Sequence, residues 1–109
     1  MFASSEGHSA AVVFLIEHGA DINKFENSFD RTALILASRH GHAAVVEILI
    51  TKGADLNLKD SILHTSYTAL MHAAVNGHYR IVEMLAQNGA DLEITNDVCI
   101  YLIYYIIDI

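Results

Sequence analysis

The segment Thr32–Leu56, TALILASRHGHAAVVEILITKGADL, determines the architecture, because it returns along the chain as Thr68–Leu92, TALMHAAVNGHYRIVEMLAQNGADL. The two segments align without a gap over 25 positions, of which 13 are identical. A partial copy of the same pattern runs from Gly7 to Asp21. Such internal similarity predicts a repeat protein, in which each unit buries its apolar face against its neighbours.

The spacing of two short motifs defines the unit. Gly-His pairs begin at Gly7, Gly41 and Gly77, which are 34 and then 36 residues apart. Each pair is followed, twelve positions later, by the glycine of a Gly-Ala-Asp triplet. Because this interval never changes, all variation in length falls in the connector between a triplet and the next pair.

Each complete unit is predicted to contain two short helices. Thr32 and Thr68 are suited to N-cap the first helix, which is expected over Ala33–His40 and over Ala69–Asn76. A glycine permits the turn that follows, and Gly53 is placed to end a second helix in a left-handed conformation. Helices of this length are not stable alone, so the units must stack. The second helices carry apolar stripes made of Ala11, Val12, Phe14, Leu15 and Ile16; of Val45, Val46, Ile48, Leu49 and Ile50; and of Ile81, Val82, Met84 and Leu85.

Composition narrows the class of protein. The chain has 109 residues, of which 53% are hydrophobic and 17% charged, and this composition predicts one folded domain rather than a disordered chain. A net charge of -7 argues against nucleic acid as a partner. The lone Cys99 cannot form an internal disulfide, and the N-terminal residues lack the basic region of a signal peptide. The apolar run Val98–Ile107 is about half as long as a membrane-spanning helix. We therefore expect an intracellular protein, cytoplasmic rather than nuclear, without a transmembrane span.

These repeats resemble the ankyrin repeat family, whose units have a period of about 33 residues and open on Thr-Pro-Leu-His-x-Ala. The corresponding segments here are Thr32–Ala37 and Thr68–Ala73, and Gly41–Asn57 matches most of the later signature. The resemblance implies an all-α solenoid of helix-turn-helix repeats joined by projecting β-hairpin-like loops. It covers a repeat domain over 1–97, with a truncated first unit and an apolar tail; the expected bounds are 1–27, 28–60 and 61–97 for the units and 98–109 for the tail.

Seven histidines raise the question of a metal site. The resemblance implies that His8, His42 and His78, which follow the turn glycines, are structural residues. Equivalent residues of successive units are expected about 10 Å apart, too far to share a zinc ion. No partner is predicted for His64 or His72, and no catalytic or phosphate-binding motif occurs. We expect no metal, no cofactor and no enzyme activity.

The carboxylates are concentrated in and beside the connectors, where they predict a solvated loop face or, alternatively, an acidic edge that steers a basic partner. Those at Asp21, Asp55 and Asp91 are interpreted as structural turn residues. The full set in this region is Asp21, Glu26, Asp30, Asp55, Asp60, Asp91, Glu93 and Asp97.

The resemblance implies a module that binds a partner protein through its loop tips and the exposed face of its first helices. Consensus positions build the stack, so recognition must come from the variable positions, which include Glu26 and Val75. Aromatic, aliphatic and arginine side chains dominate protein interfaces, and the longer second connector offers such residues. The predicted partner-binding residues are Lys24, Phe25, Phe29, Arg39, His40, Lys59, Ile62, Leu63, His64, Tyr67 and Asn76.

Several alternatives accompany this interpretation. One is that the chain is a fragment of a larger ankyrin-repeat protein, such as a signalling enzyme, channel or adaptor, whose activity lies elsewhere. Another is a membrane-associated adaptor that uses the tail 98–109, and a third is that this tail caps the third unit. Exposed apolar ends also predict self-association of the chain.

Overall fold

The computed structural model describes residues 14–19, 21–23, 32–61 and 67–92. Four α-helices lie within these ranges: α1 (Ala33–His40), α2 (Ala43–Thr51), α3 (Ala69–Val75) and α4 (Tyr79–Gln87). Residues 14–17 are also helical, where the first unit was expected to have its second helix. No strand occurs in these four ranges. The second and third units are therefore helix pairs, as the sequence predicts.

The N-caps of the first helices are confirmed. The Thr32 hydroxyl accepts a hydrogen bond from the backbone N–H of Ile35 at 3.2 Å, and that of Thr68 accepts from Met71 at 3.3 Å. Both threonines have extended backbone angles, which is the geometry that a capping side chain needs. Helix α1 has the predicted bounds, whereas α3 ends at Val75, one residue earlier than expected.

Two glycines end the helices of the second unit. Gly41 has a φ of +81°, and its N–H donates to the carbonyl of Ala37 at the end of α1. Gly53 has a φ of +90° after α2, as the sequence predicts. Glycine adopts such angles without the steric cost that a side chain adds. The chain therefore reverses within two residues, and α2 packs back along α1.

One apolar core joins the two units. Helix α1 packs on α3 and α2 packs on α4, so the first helices form one layer and the second helices another. In α2 the buried stripe is narrower than predicted, because Ile48 and Ile50 are only half-buried. The largest fully buried apolar side chains are Leu34, Ile35, Val45, Val46, Leu49, Leu70, Ile81, Val82 and Leu85.

A chain of side-chain hydrogen bonds links successive units outside the core. The Asn23 carbonyl oxygen accepts from the Asp55 N–H at 2.8 Å, and that of Asn57 accepts from the Asp91 N–H at 2.7 Å. Within the units, the Asp21 and Asp55 carboxylates accept from the N–H groups two residues later. These two aspartates are turn residues, as predicted, and the asparagines fix the spacing between units.

Small residues of the first helices lie in the interior. Ala37 and Ala73 are fully buried, and their size lets α1 and α3 approach closely. Ser38 is also fully buried, and its hydroxyl has no hydrogen-bond partner among the described residues. A buried hydroxyl without a partner costs free energy of folding, because it gave up its bonds to water.

Replacing Ser38 by alanine is expected to raise the free energy of unfolding by about 1 kcal/mol, since it removes this unpaired hydroxyl. The third unit has Ala74 at the equivalent position, so alanine fits there. Urea denaturation of both proteins measures the difference. The reciprocal variant Ala74→Ser is expected to be destabilised, and a stabilised Ala74→Ser or a destabilised Ser38→Ala contradicts the interpretation.

Candidate protein-interaction site

The histidine of the third Gly-His pair holds the end of α1. Its Nε2–H donates to the carbonyl of Arg39 at 3.0 Å, across the boundary between the units. The His78 ring also lies against Gly41, so closely that a Cβ atom there would be 2.6 Å from its Cε1. The structural role predicted for this histidine is confirmed at His78, whereas His8 lies outside the described residues.

The variable residues of the first helices lie along one edge of the stack, at the C-terminal ends of these helices. Helices α1 and α3 are neighbours related by the repeat, so their C-terminal ends lie side by side. His40 and Asn76 are exposed, Val75 is 48% exposed and Arg39 is half-buried. The Asn76 amide also donates to a carbonyl of its own helix, at 2.8 Å. These four residues provide the described part of the predicted first-helix face.

The second connector is closed at its base by a pair of hydrogen bonds. The Asp60 N–H donates to the Tyr67 carbonyl at 2.9 Å, and the Tyr67 N–H donates to Oδ1 of Asp60 at 2.8 Å. The two ends of the connector therefore meet, as in the hairpin-like loop that the resemblance implies. Lys59 is exposed beside this closure, and Tyr67 is half-buried.

Asp60 and His72 form a buried pair, so the assignment of Asp60 to a solvated loop face was wrong, and the partner of His72 was not predicted. Oδ2 of Asp60 lies 2.6 Å from Nε2 of His72, and the two residues are 2% and 3% exposed. The Tyr67 ring packs edge-on against the imidazole, with centroids 5.3 Å apart. Asp60 is therefore not one of the solvated connector carboxylates, and His72 has a partner. The described base of the connector lies against α3, which places the carboxylate inside.

A signal for this pair was present in the sequence. His72 stands where the second unit has Leu36, a buried residue of α1. A polar side chain at a core position needs a hydrogen-bond partner, and the preceding connector supplies a carboxylate. Sequence reasoning missed the pair because the two residues are twelve positions apart and belong to different elements.

Exposed charges occur in the second connector and on the second helices. Lys59 is exposed in the connector, Glu47, Arg80 and Glu83 are exposed on α2 and α4, and Arg39 on α1 is half-buried. Glu17 forms an ion pair with Lys52 at 3.7 Å. Because Asp60 faces inward, it contributes nothing to an acidic edge.

The remaining predicted binding residues belong to stretches of the connectors for which the structure makes no statement. Their contribution stays a prediction from the sequence. They are Lys24, Phe25, Phe29, Ile62, Leu63 and His64.

A groove of about 320 Å³ lies on the other side of the molecule, between α2 and α4. It is lined by Glu47, Ile50, Thr51, Arg80, Met84 and Asn88, none of which belongs to the predicted surface. In the part of the chain that the structure describes, no three His, Cys, Asp or Glu side chains are grouped to hold a metal ion. In the same part, no helix has the length and apolar character needed to span a membrane.

Stacked helix pairs with equivalent caps, turns and inter-unit hydrogen bonds define this chain as a helical-repeat protein, an α-solenoid. A protein-family model described as ankyrin repeats in three copies matches residues 1–96, and the chain therefore belongs to the ankyrin repeat family. Among curated proteins, the comparison finds no match to this sequence. Ankyrin repeats are generally protein-interaction modules and are typically noncatalytic, and no enzyme family matches the chain.

Proposed function

We propose that this protein is a noncatalytic scaffold that binds a partner protein through the second connector and the C-terminal ends of α1 and α3. The observation that carries the proposal is the division between consensus and variable positions. The caps, the turn histidine and the apolar stripe serve the stack. The variable residues His40, Lys59, Val75 and Asn76 are exposed: Lys59 lies in the connector before α3, and the other three lie at the C-terminal ends of α1 and α3.

The chemistry of these residues favours a partner that offers both apolar and polar groups. Val75 supplies apolar area, while Arg39 and Lys59 supply charge. The net charge of -7 attracts a basic partner over long range and accelerates encounter, while Arg39 and Lys59 on the surface itself favour an acidic group of that partner at the point of contact. The single cysteine supports a reducing, cytoplasmic setting.

Changing Leu63 to aspartate tests the proposal, because a charge at an apolar anchor of the connector opposes its burial in an interface. The full chain is immobilised and the proteins that it retains from a cytosolic extract are quantified by mass spectrometry. Retention of the partner by Leu63→Asp is expected to fall by about tenfold or more, with an unchanged helical circular dichroism signal.

Thr51→Asp is the matched control, since it adds the same charge on an exposed residue of the groove between the second helices. It is expected to retain the partner as the wild type does. Equal losses for the two variants, a parallel loss of helical signal in Leu63→Asp, or a wild type that retains nothing contradicts the proposal.

A further inference from the structure

We propose that the Asp60–His72 pair is a positioning element of the binding surface, which fixes Lys59 and Tyr67 before a partner arrives. This inference rests on the proposed function, because it concerns how the second connector is presented. It adds that the base of this connector is preorganised, so that binding does not have to order it. Preorganisation improves affinity by reducing the conformational entropy lost on association.

Three hydrogen bonds converge on Asp60. Its N–H donates to Tyr67, its Oδ1 accepts from the Tyr67 N–H, and its Oδ2 accepts from His72. The first two join the ends of the connector, and the third joins the connector to α3. One side chain therefore sets both the width of the connector base and its position on the helix layer.

Burial makes this arrangement strongly preferred over looser ones. The Asp60 and His72 side chains are 0% and 4% exposed. A buried carboxylate without its partners is unfavourable, because the lost hydration is not replaced. The connector base is consequently held with all three bonds formed, or it opens and returns the carboxylate to water. Intermediate positions, with the carboxylate buried but unpaired, are disfavoured.

Comparison of the two units indicates that stacking does not need the pair. At the position of His72, the second unit has Leu36, which is buried in α1. An ankyrin-type first helix thus accommodates leucine there, a side chain that cannot bond to a connector carboxylate. The imidazole of His72 therefore binds the connector rather than completing the core. The connector that it binds is the longer of the two that precede a first helix.

The residues that the pair fixes belong to the predicted binding surface. Lys59 immediately precedes Asp60 and is exposed, and Tyr67 contacts the His72 ring with its own ring. Both flank the segment 62–66 at its two ends. Their positions relative to Val75 and Asn76 on α3 are set by the bond between Asp60 and His72. The pair therefore controls how the connector and the first-helix face are combined into one surface.

Hydrogen exchange of the Tyr67 amide tests the inference without any partner. The variant His72→Leu copies the second unit, keeps an apolar side chain in the core and removes the bond to the connector. Exchange of the Tyr67 amide is expected to accelerate by about tenfold or more, while amides of α1 keep their protection. Asn88→Ala, which removes the corresponding side-chain hydrogen bond to Met84 at the end of α4, is the control and is expected to leave Tyr67 unchanged.

Asp60→Ala is the second variant, and it also deletes the Oδ1 acceptor of the Tyr67 N–H. It should therefore accelerate exchange at Tyr67 at least as much as His72→Leu does. The double variant should exchange no faster than Asp60→Ala, because the bond to His72 is already lost without the carboxylate. Additive effects, protection of Tyr67 in both single variants, or general loss of protection in α1 and α2 in both overturns the inference.

Binding then separates this inference from the proposed function. For the protein that the wild type retains, His72→Leu is expected to weaken affinity by about tenfold. Asn88→Ala is expected to bind that protein as the wild type does. If Tyr67 responds as expected but the wild type retains no partner, the proposed function fails and the positioning role of the pair remains. If a partner binds and Leu63→Asp abolishes binding while Tyr67 exchange does not respond to His72→Leu, this inference alone fails.

Discussion

Replacing Gly41 by alanine is expected to lower the free energy of unfolding by about 3 kcal/mol, because two costs combine at this turn. The first is the left-handed backbone at φ +81°, which disfavours any residue with a Cβ atom. The second is the contact with the next unit, since the new methyl group would lie 2.6 Å from the ring of His78. That ring has to move, and its bond to the Arg39 carbonyl is then lost.

Gly53→Ala isolates the first of these costs. Its φ is +90°, yet, apart from its chain neighbours, no atom of the described residues lies within 4 Å of the position where a Cβ would be placed. It is therefore expected to cost about 1 kcal/mol, the left-handed strain alone. Urea denaturation of both variants measures the two effects under the same conditions.

A double variant identifies the source of the additional cost. In the background His78→Ala the ring is absent, so Gly41→Ala should cost about as much as Gly53→Ala does in the wild type. Equal effects of Gly41→Ala and Gly53→Ala in the wild type would show that the contact between units does not contribute.

Replacing Leu49 by alanine is expected to lower the free energy of unfolding by about 3 kcal/mol, the usual cost of a cavity at a fully buried leucine. Leu49 is completely buried in the core that the two units share. Because a short repeat protein is stabilised by contacts between neighbouring units, this loss should also weaken the attachment of the third unit. Chemical denaturation monitored by circular dichroism gives the free energy of unfolding.

Ile48→Ala is the control for Leu49→Ala. It removes an aliphatic side chain of similar size from the adjacent residue of α2, which is half-buried. It is expected to cost about 1 kcal/mol, since most of its area is not taken from an enclosed site. A larger loss in the free energy of unfolding for Ile48→Ala than for Leu49→Ala would mean that Ile48, and not Leu49, faces the core.

The sequence predicts those features of the fold that depend on local chemistry. A threonine before an apolar segment defined the start of α1 and α3, and the glycine of the Gly-His pair defined the end of α1. The hydrogen bonds that Asp21 and Asp55 accept from the N–H groups two residues later are likewise local. Each of these signals involves residues within four positions, so a linear pattern is sufficient to identify them.

Features that join distant positions were harder to predict. The buried pair of Asp60 and His72 requires that the connector base lie against α3, and no periodicity in the sequence predicts this contact. The width of the apolar stripe was overestimated at Ile48 and Ile50, because it depends on how α2 is rotated against its neighbours. For the binding surface, the family resemblance predicts which positions vary, and the structure adds that His40, Lys59 and Asn76 are exposed.

The closed base of the second connector has a consequence for how such a protein diversifies. Because Asp60 and Tyr67 are bonded to each other, the chain leaves the connector base and returns to it at one place. Insertions or exchanges among residues 61–66 therefore leave the anchoring bonds and the distance from one repeat to the next unaltered. New binding specificities can therefore be acquired there by mutation, or introduced by loop grafting, without any change in how the repeats pack.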